Sequence, residues 1–203
     1  MNISINGNSQ SFTVDSVEDF KGIWKDITEK ITGGKELIQS VYIDGKLTGD
    51  YFENIMNDYN IINLIEIITI SAERSYYSTL NDIRAYMVQV LSNMENYMEP
   101  LYSANLGNCE ELPIIVESLE WIITSTNYLD YLSSSFDICS PITQKVKSAV
   151  SEFKRVLVPL NAELGSENLV GFADIVQYEF LPAVQEFYNA AKEVEYSEQN
   201  LIQ

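Results

Sequence analysis

The chain has 203 residues, 30 acids against 12 bases and no histidine, for a formal net charge of −18. A surface this acidic repels phosphate, which argues against nucleic acid and anionic membrane surfaces as ligands. Without histidine, neither Ser-His or Cys-His nucleophile activation nor a Glu-x-x-His di-metal site can form. Hydrophobic residues make up 46% of the chain, enough for a packed core. No run of 18 apolar residues occurs, and the start lacks the basic-then-apolar order of a secretory signal, so a cytoplasmic location is expected.

Taken in order, Ile3 and Ile5 alternate with polar neighbours, Asn6-Gly7 supplies turn chemistry, and Phe12 and Val14 alternate again. This spacing predicts a hairpin. Asp15 or Ser16 is placed to cap a helix, with Glu18 and Asp19 in the first turn where the dipole favours acids. Val17, Phe20, Ile23, Trp24, Ile27 and Ile31 then step by three and four along one helix face. Gly33-Gly34 ends it. A β-rich run over Ile38–Tyr42 leads into an Asp44-Gly45 turn and Leu47. A short helical turn is expected over Asp50–Met56, and a last strand over Leu64–Ile70.

The order β-β-α-β, short helix, β within about 70 residues resembles the β-grasp fold of ubiquitin-like proteins. Tyr42-Ile43-Asp44-Gly45-Lys46-Leu47 is similar to the ubiquitin segment that reads apolar-Phe-Ala-Gly-Lys-Gln-Leu. Asn57-Asp58-Tyr59-Asn60-Ile61 is similar to its Ser-Asp-Tyr-Asn-Ile. The resemblance covers a third of the chain. Ubiquitin and its conjugated relatives end in a free Gly-Gly tail, whereas Ile70 here runs into Ser71-Ala72-Glu73-Arg74 and a helix. The resemblance therefore implies a scaffold that presents a sheet face or edge to a partner, not a conjugated modifier.

Beyond Ser71 the strand signals vanish. Leu80, Ile83, Met87, Val90, Met94, Tyr97 and Leu101 mark one amphipathic helix. Leu112, Ile115, Leu119, Ile122, Thr126 and Leu129 mark a second, with Pro113 in its first turn where proline is tolerated. Ile142, Val146, Ala149, Phe153, Val156 and Leu160 mark a third, and Leu169, Phe172, Val176, Phe180, Ala183, Phe187 and Val194 a fourth. Kinks or ends are expected at Pro159 and Pro182, each of which removes a ladder hydrogen bond. The expected fold is thus α+β: a ubiquitin-like β-grasp over residues 1–71, then an acidic antiparallel four-helix bundle over residues 72–203. Cys109 and Cys139 bracket the second helix. At ~1.5 Å per residue they stand roughly 40 Å apart, so two free thiols are expected.

From Ala85 to Gln144 there is no lysine or arginine, while eight acids fall in the span: Glu95, Glu99, Glu110, Glu111, Glu117, Glu120, Asp130 and Asp137. Bases return as Lys145, Lys147, Lys154 and Arg155. Either the third helix neutralises its neighbours through surface pairs, or an acidic helical face meets a basic partner. Tyrosines follow the same region, and exposed tyrosine is typical of adaptable interfaces. Tyr86, Glu95, Tyr97, Glu99, Tyr102, Glu117, Glu120, Tyr128 and Tyr131 are therefore the candidate partner-binding residues.

No phosphate loop and no Gly-x-Ser-x-Gly occur, and the Glu110-Glu111 pair leads into a helix N-terminus where the dipole accounts for it. The expectation is a non-enzymatic module with no cofactor and a protein partner that is basic or helical. It is similar in general character to bacterial secretion and flagellar chaperones. The Asn/Ile/Tyr-rich composition further suggests a low-GC bacterium. A ligand or carboxylate-only metal site inside the bundle, lined by Trp121, Phe153, Phe172, Phe180 and Phe187, is the alternative. A homodimer through the bundle face is a third reading.

Overall fold

The computed structural model describes residues 1–103, 109–140 and 142–192. The chain divides into two compact units, Met1–Ser75 and Tyr76–Gln203. The architecture is α+β, a mixed five-stranded sheet followed by helices.

In the first unit β1 (Asn2–Ile5) and β2 (Asn8–Ser11) form the N-terminal hairpin. Helix α1 (Val17–Gly33) follows, then β3 (Glu36–Ile43), β4 (Lys46–Leu47), α2 (Tyr51–Asp58) and β5 (Leu64–Ser71). The sheet order is β2-β1-β5-β3-β4. The last strand thus enters the centre, parallel to β1 with Ile3 beside Ile65, and antiparallel to β3 with Val41 beside Ile67.

Both tight turns use an Asx-Gly pair in the left-handed region: Asn6 and Gly7 at φ 48° and 83°, Asp44 and Gly45 at 48° and 80°. Two positive φ values in succession define the type I′ turn, whose twist matches that of the strands it joins. The Asp44 carboxylate also accepts from the backbone N–H of Leu64 at 2.8 Å, fixing where β5 begins. Asn6 does the same near the other end of β5, accepting from Thr69 N–H at 3.0 Å and donating to Thr69 Oγ1 at 2.7 Å. Replacing Gly45 with alanine puts a Cβ at φ +80° and is expected to cost about 1–2 kcal/mol. Chemical denaturation of the variant checks this, and an unchanged midpoint contradicts the turn.

Helix α1 is capped by Ser16, whose hydroxyl accepts from Asp19 N–H at 3.1 Å. Its buried stripe, Phe20, Trp24, Ile27 and Ile31, packs on Ile3, Val41, Ile65 and Ile67 of the sheet, with Ile55 of α2 and Ile62 completing the core. Strand β3 is longer than its β-rich run suggests. The Glu36 carboxylate accepts from Thr69 Oγ1, and pairing with β5 extends to Ser71 past an irregularity between Ile38 and Ser40.

The second unit is helical. Helix α3 (Ala72–Ser103) is followed by α4 (Leu112–Ser135), α5 (Thr143–Gly165), α6 (Leu169–Ile175) and α7 (Leu181–Lys192). Between α6 and α7 the residues Val176–Phe180 form a π-turn. Most residues of the four apolar stripes read from the sequence are buried, with Tyr97, Leu112 and Ala183 half-buried. Met87 and Met94 of α3, Ile115 and Ile122 of α4, Val146 and Phe153 of α5, and Phe172 and Phe180 are all essentially buried. Val194 lies outside the described residues.

The prolines act differently from one another. Helix α5 continues through Pro159 to Gly165, so no end occurs there. At Pro182 the ladder widens instead: the N–H of Leu181 reaches back to Val176 O. Proline has no N–H to give, and the one-residue expansion before it shifts the register of the preceding turn.

Candidate functional site

Helix α4 buries one face and exposes another that is also rich in large side chains. Ile115, Ser118, Leu119, Ile122, Thr126, Leu129, Leu132 and Ser133 face inward. The hydroxyls of Ser118 and Thr126 are satisfied by the carbonyls of Ile114 and Ile122, so the inward face carries little unmet polarity. On the outside, Ile114, Glu117, Trp121, Thr124, Tyr128 and Tyr131 are all exposed. Their spacing alternates three and four residues, the seam pattern of helices that pack side by side. Four of the six are large and apolar or aromatic, with exposures of 47% for Ile114, 37% for Trp121, 38% for Tyr128 and 53% for Tyr131.

The aromatic members are held by ring contacts. Tyr128 and Tyr131 stack at 6.4 Å, and Tyr131 makes a T-shaped contact with the buried Phe136 ring. Trp121 lies against Tyr86 of α3 at 4.3 Å, and the Tyr86 hydroxyl shares a 3.0 Å hydrogen bond with Ser118. These contacts restrict the rotamers of the exposed rings.

Of the candidate residues, Tyr86, Glu117, Glu120, Tyr128 and Tyr131 are placed on or beside this face. Glu117 and Glu120 are exposed and make no ion pair among the described residues. Arg155 pairs elsewhere, with Glu152 at 2.6 Å and Glu179 at 3.0 Å. Its hydrogen bond to Glu152 holds that carboxyl below the usual carboxylate range. The Glu95 side chain lies outside the described residues. Tyr97 is half-buried and Glu99 exposed on α3.

Tyr102 belongs to a different contact. Its hydroxyl lies 2.7 Å from Asp174 Oδ1 and 3.0 Å from the Gln177 side-chain amide. A phenol has one proton, and the shorter contact gives it to the Asp174 carboxylate, with Gln177 Oε1 the more distant acceptor. The bond to Asp174 pushes the Tyr102 pKa up to about 12. The folded value lies above the unfolded one near 10. The contact is therefore intact below pH ~10 and is lost as pH climbs toward the folded value. Carbon-13 NMR of the tyrosine rings, assigned with Tyr102→Phe, is expected to show this phenol still un-ionised at pH ~10 and titrating toward about 12. Ionisation with a midpoint near ~10 contradicts the pairing.

Ile114 is absent from the sequence-derived candidates, and Trp121 enters there only with Phe153, Phe172, Phe180 and Phe187 as an interior residue. The four phenylalanines are buried; Trp121 is not. The signal that marks both is their alternating spacing with Tyr128 and Tyr131. As to metals, no group of three or more Asp, Glu or Cys side chains able to hold an ion occurs among the described residues. Cys109 is buried and Cys139 exposed, both as free thiols. Among the described residues no helix is long and apolar enough to cross a membrane.

These features define an α+β protein whose helical unit carries an apolar stripe on the outside of α4 as well as on the inside. The model of a family described as "Domain of unknown function (DUF8042)" matches residues 78–190, more than half of the chain. The chain belongs to that family. No curated protein and no solved structure matches it.

Proposed function

We propose that this chain is a non-enzymatic protein-interaction module in which a ubiquitin-like β-grasp unit precedes an acidic antiparallel four-helix bundle. The β-grasp reading is supported by the strand order β2-β1-β5-β3-β4, with parallel central strands and α1 against the sheet. The bundle reading is supported by side-chain contacts among the helices. Phe153 of α5 meets Phe180 of the π-turn, Tyr86 of α3 meets Trp121 of α4, and Tyr102 of α3 meets Asp174 of α6.

The observation that carries the interaction reading is the outer face of α4. Exposed aromatic side chains sit there beside the exposed acids Glu117 and Glu120, and α4 contains no lysine or arginine. Such a face repels a second strongly acidic surface and favours a basic one in on-rate and specificity. An adaptor or chaperone-like role follows, with α4 as the binding element.

The test is capture from the host lysate at low salt on the full-length protein, followed by a wash at about 0.5 M salt, where screening is nearly complete. Recovery of one abundant protein that the salt wash removes supports the reading. A column that retains only the bait overturns it.

A further inference from the structure

We infer that the outer face of α4 is a seam for one amphipathic helix of a different protein, with apolar residues along its contact stripe and lysine or arginine flanking it. The inference rests on the interaction reading above and specifies its partner. Ile114, Glu117, Trp121, Thr124, Tyr128 and Tyr131 recur at the three-four alternation that lets a second helix lay knobs between them. An ordinary surface helix is apolar on one stripe only. Here the inward stripe is buried in the core, while the outward one keeps 37–53% of Ile114, Trp121, Tyr128 and Tyr131 exposed beyond their ring contacts.

The dimensions suit a single helix. Ile114 to Tyr131 spans about 26 Å at ~1.5 Å per residue, close to five turns of a partner. Apolar contact is offered by Ile114 at one end, by Trp121 in the middle and by the stacked Tyr128 and Tyr131 at the other end, and Glu117 interrupts it between Ile114 and Trp121. An acid inside an apolar seam penalises any partner that brings no donor opposite it, and so sets register as a buried polar residue does in a coiled coil. Glu120 lies beside the seam and Glu110 beyond its start, both exposed.

Charge decides against a second copy of this chain. A parallel pairing sets Glu117 against Glu117, and either orientation brings together two chains of −18 each. A basic-flanked helix meets the same residues with attraction at every acid.

The probe is a synthetic peptide of about 24 residues with leucine at the seam positions and lysine on both flanks. It is compared with the same peptide carrying glutamate flanks, each titrated against the full-length protein by fluorescence anisotropy. The lysine peptide is expected to bind, to weaken with salt, and to lose at least about tenfold in affinity for Ile114→Ser/Tyr131→Ser, as anchor loss predicts. Ile114 is 47% exposed and Tyr131 53%, and circular dichroism checks that the variant is folded; because Tyr131 also meets Phe136, Ile114→Ser alone is titrated beside it and is expected to weaken binding too. Equal binding of parent and variant, equal binding of the two peptides, or no binding overturns the inference. Sedimentation showing that the protein alone dimerises, with the double substitution abolishing the dimer, assigns the face to a second copy and overturns it as well. A partner captured from lysate equally by parent and variant sinks this seam while leaving the broader interaction reading intact.

Discussion

Reversing the charge at Glu117 and Glu120 to lysine is expected to invert the partner preference of the helical unit. Both carboxylates are exposed and make no ion pair among the described residues, so the substitutions shift folding stability by no more than about 0.5 kcal/mol each. Affinity for a lysine-flanked helix is expected to fall about tenfold or more at low salt, and affinity for a glutamate-flanked one to rise. Rim charges act mainly through the association rate, so stopped-flow mixing should place most of the loss there. Raising salt should narrow the difference between parent and variant, because screening removes what the substitutions reverse. If both peptides bind the variant as they bind the parent, the acids along α4 are solubility charges and no more.

The second large effect is expected in the core. Phe153 is 1% exposed and its ring sits 5.1 Å from that of Phe180, which is fully buried. Phe153→Ala removes a large side chain from between α5 and the π-turn and should cost about 3–5 kcal/mol. That is a substantial share of a typical domain's stability of roughly 5–15 kcal/mol. Val158, on the same helix but 74% exposed, serves as the control, and its alanine variant should change the midpoint little. Thermal unfolding followed by circular dichroism reads both. Comparable shifts for the two variants contradict the assignment of an inner and an outer face to α5.

The periodicities that locate the elements are strong where one face is buried and the other is polar. Phe20, Trp24, Ile27 and Ile31 are legible as a helix face because their neighbours Glu18, Lys21, Lys25 and Glu29 are charged. The I′ turns are legible because Asn6-Gly7 and Asp44-Gly45 are among the few pairs that tolerate two positive φ values. The extension of β3 to Glu36 is not legible. It depends on Thr69 and on pairing with β5 some thirty residues away, and Glu36 has no strand signal of its own.

The π-turn is half legible: Pro182 announces a disturbance in the fourth stretch, yet Pro159 gives the same signal and leaves α5 uninterrupted. Local chemistry identifies the missing donor but not how the neighbouring turn absorbs it. The outer face of α4 is obscured for a different reason. Two apolar stripes on one helix reduce its amphipathic contrast, so Trp121 reads as core in sequence. Only the fold shows which stripe is covered. Tyr102 is set among interface tyrosines by composition, while its bond to Asp174 across 72 positions of sequence gives it a structural partner.

Hydrogen exchange along the whole chain, with and without the lysine-flanked peptide, tests the central claim most directly. Added protection concentrated in Leu112–Ser135, and lost in Ile114→Ser/Tyr131→Ser, is the result this account predicts. Protection confined to the sheet of the first unit, or spread over the acidic surface without preference for α4, contradicts it.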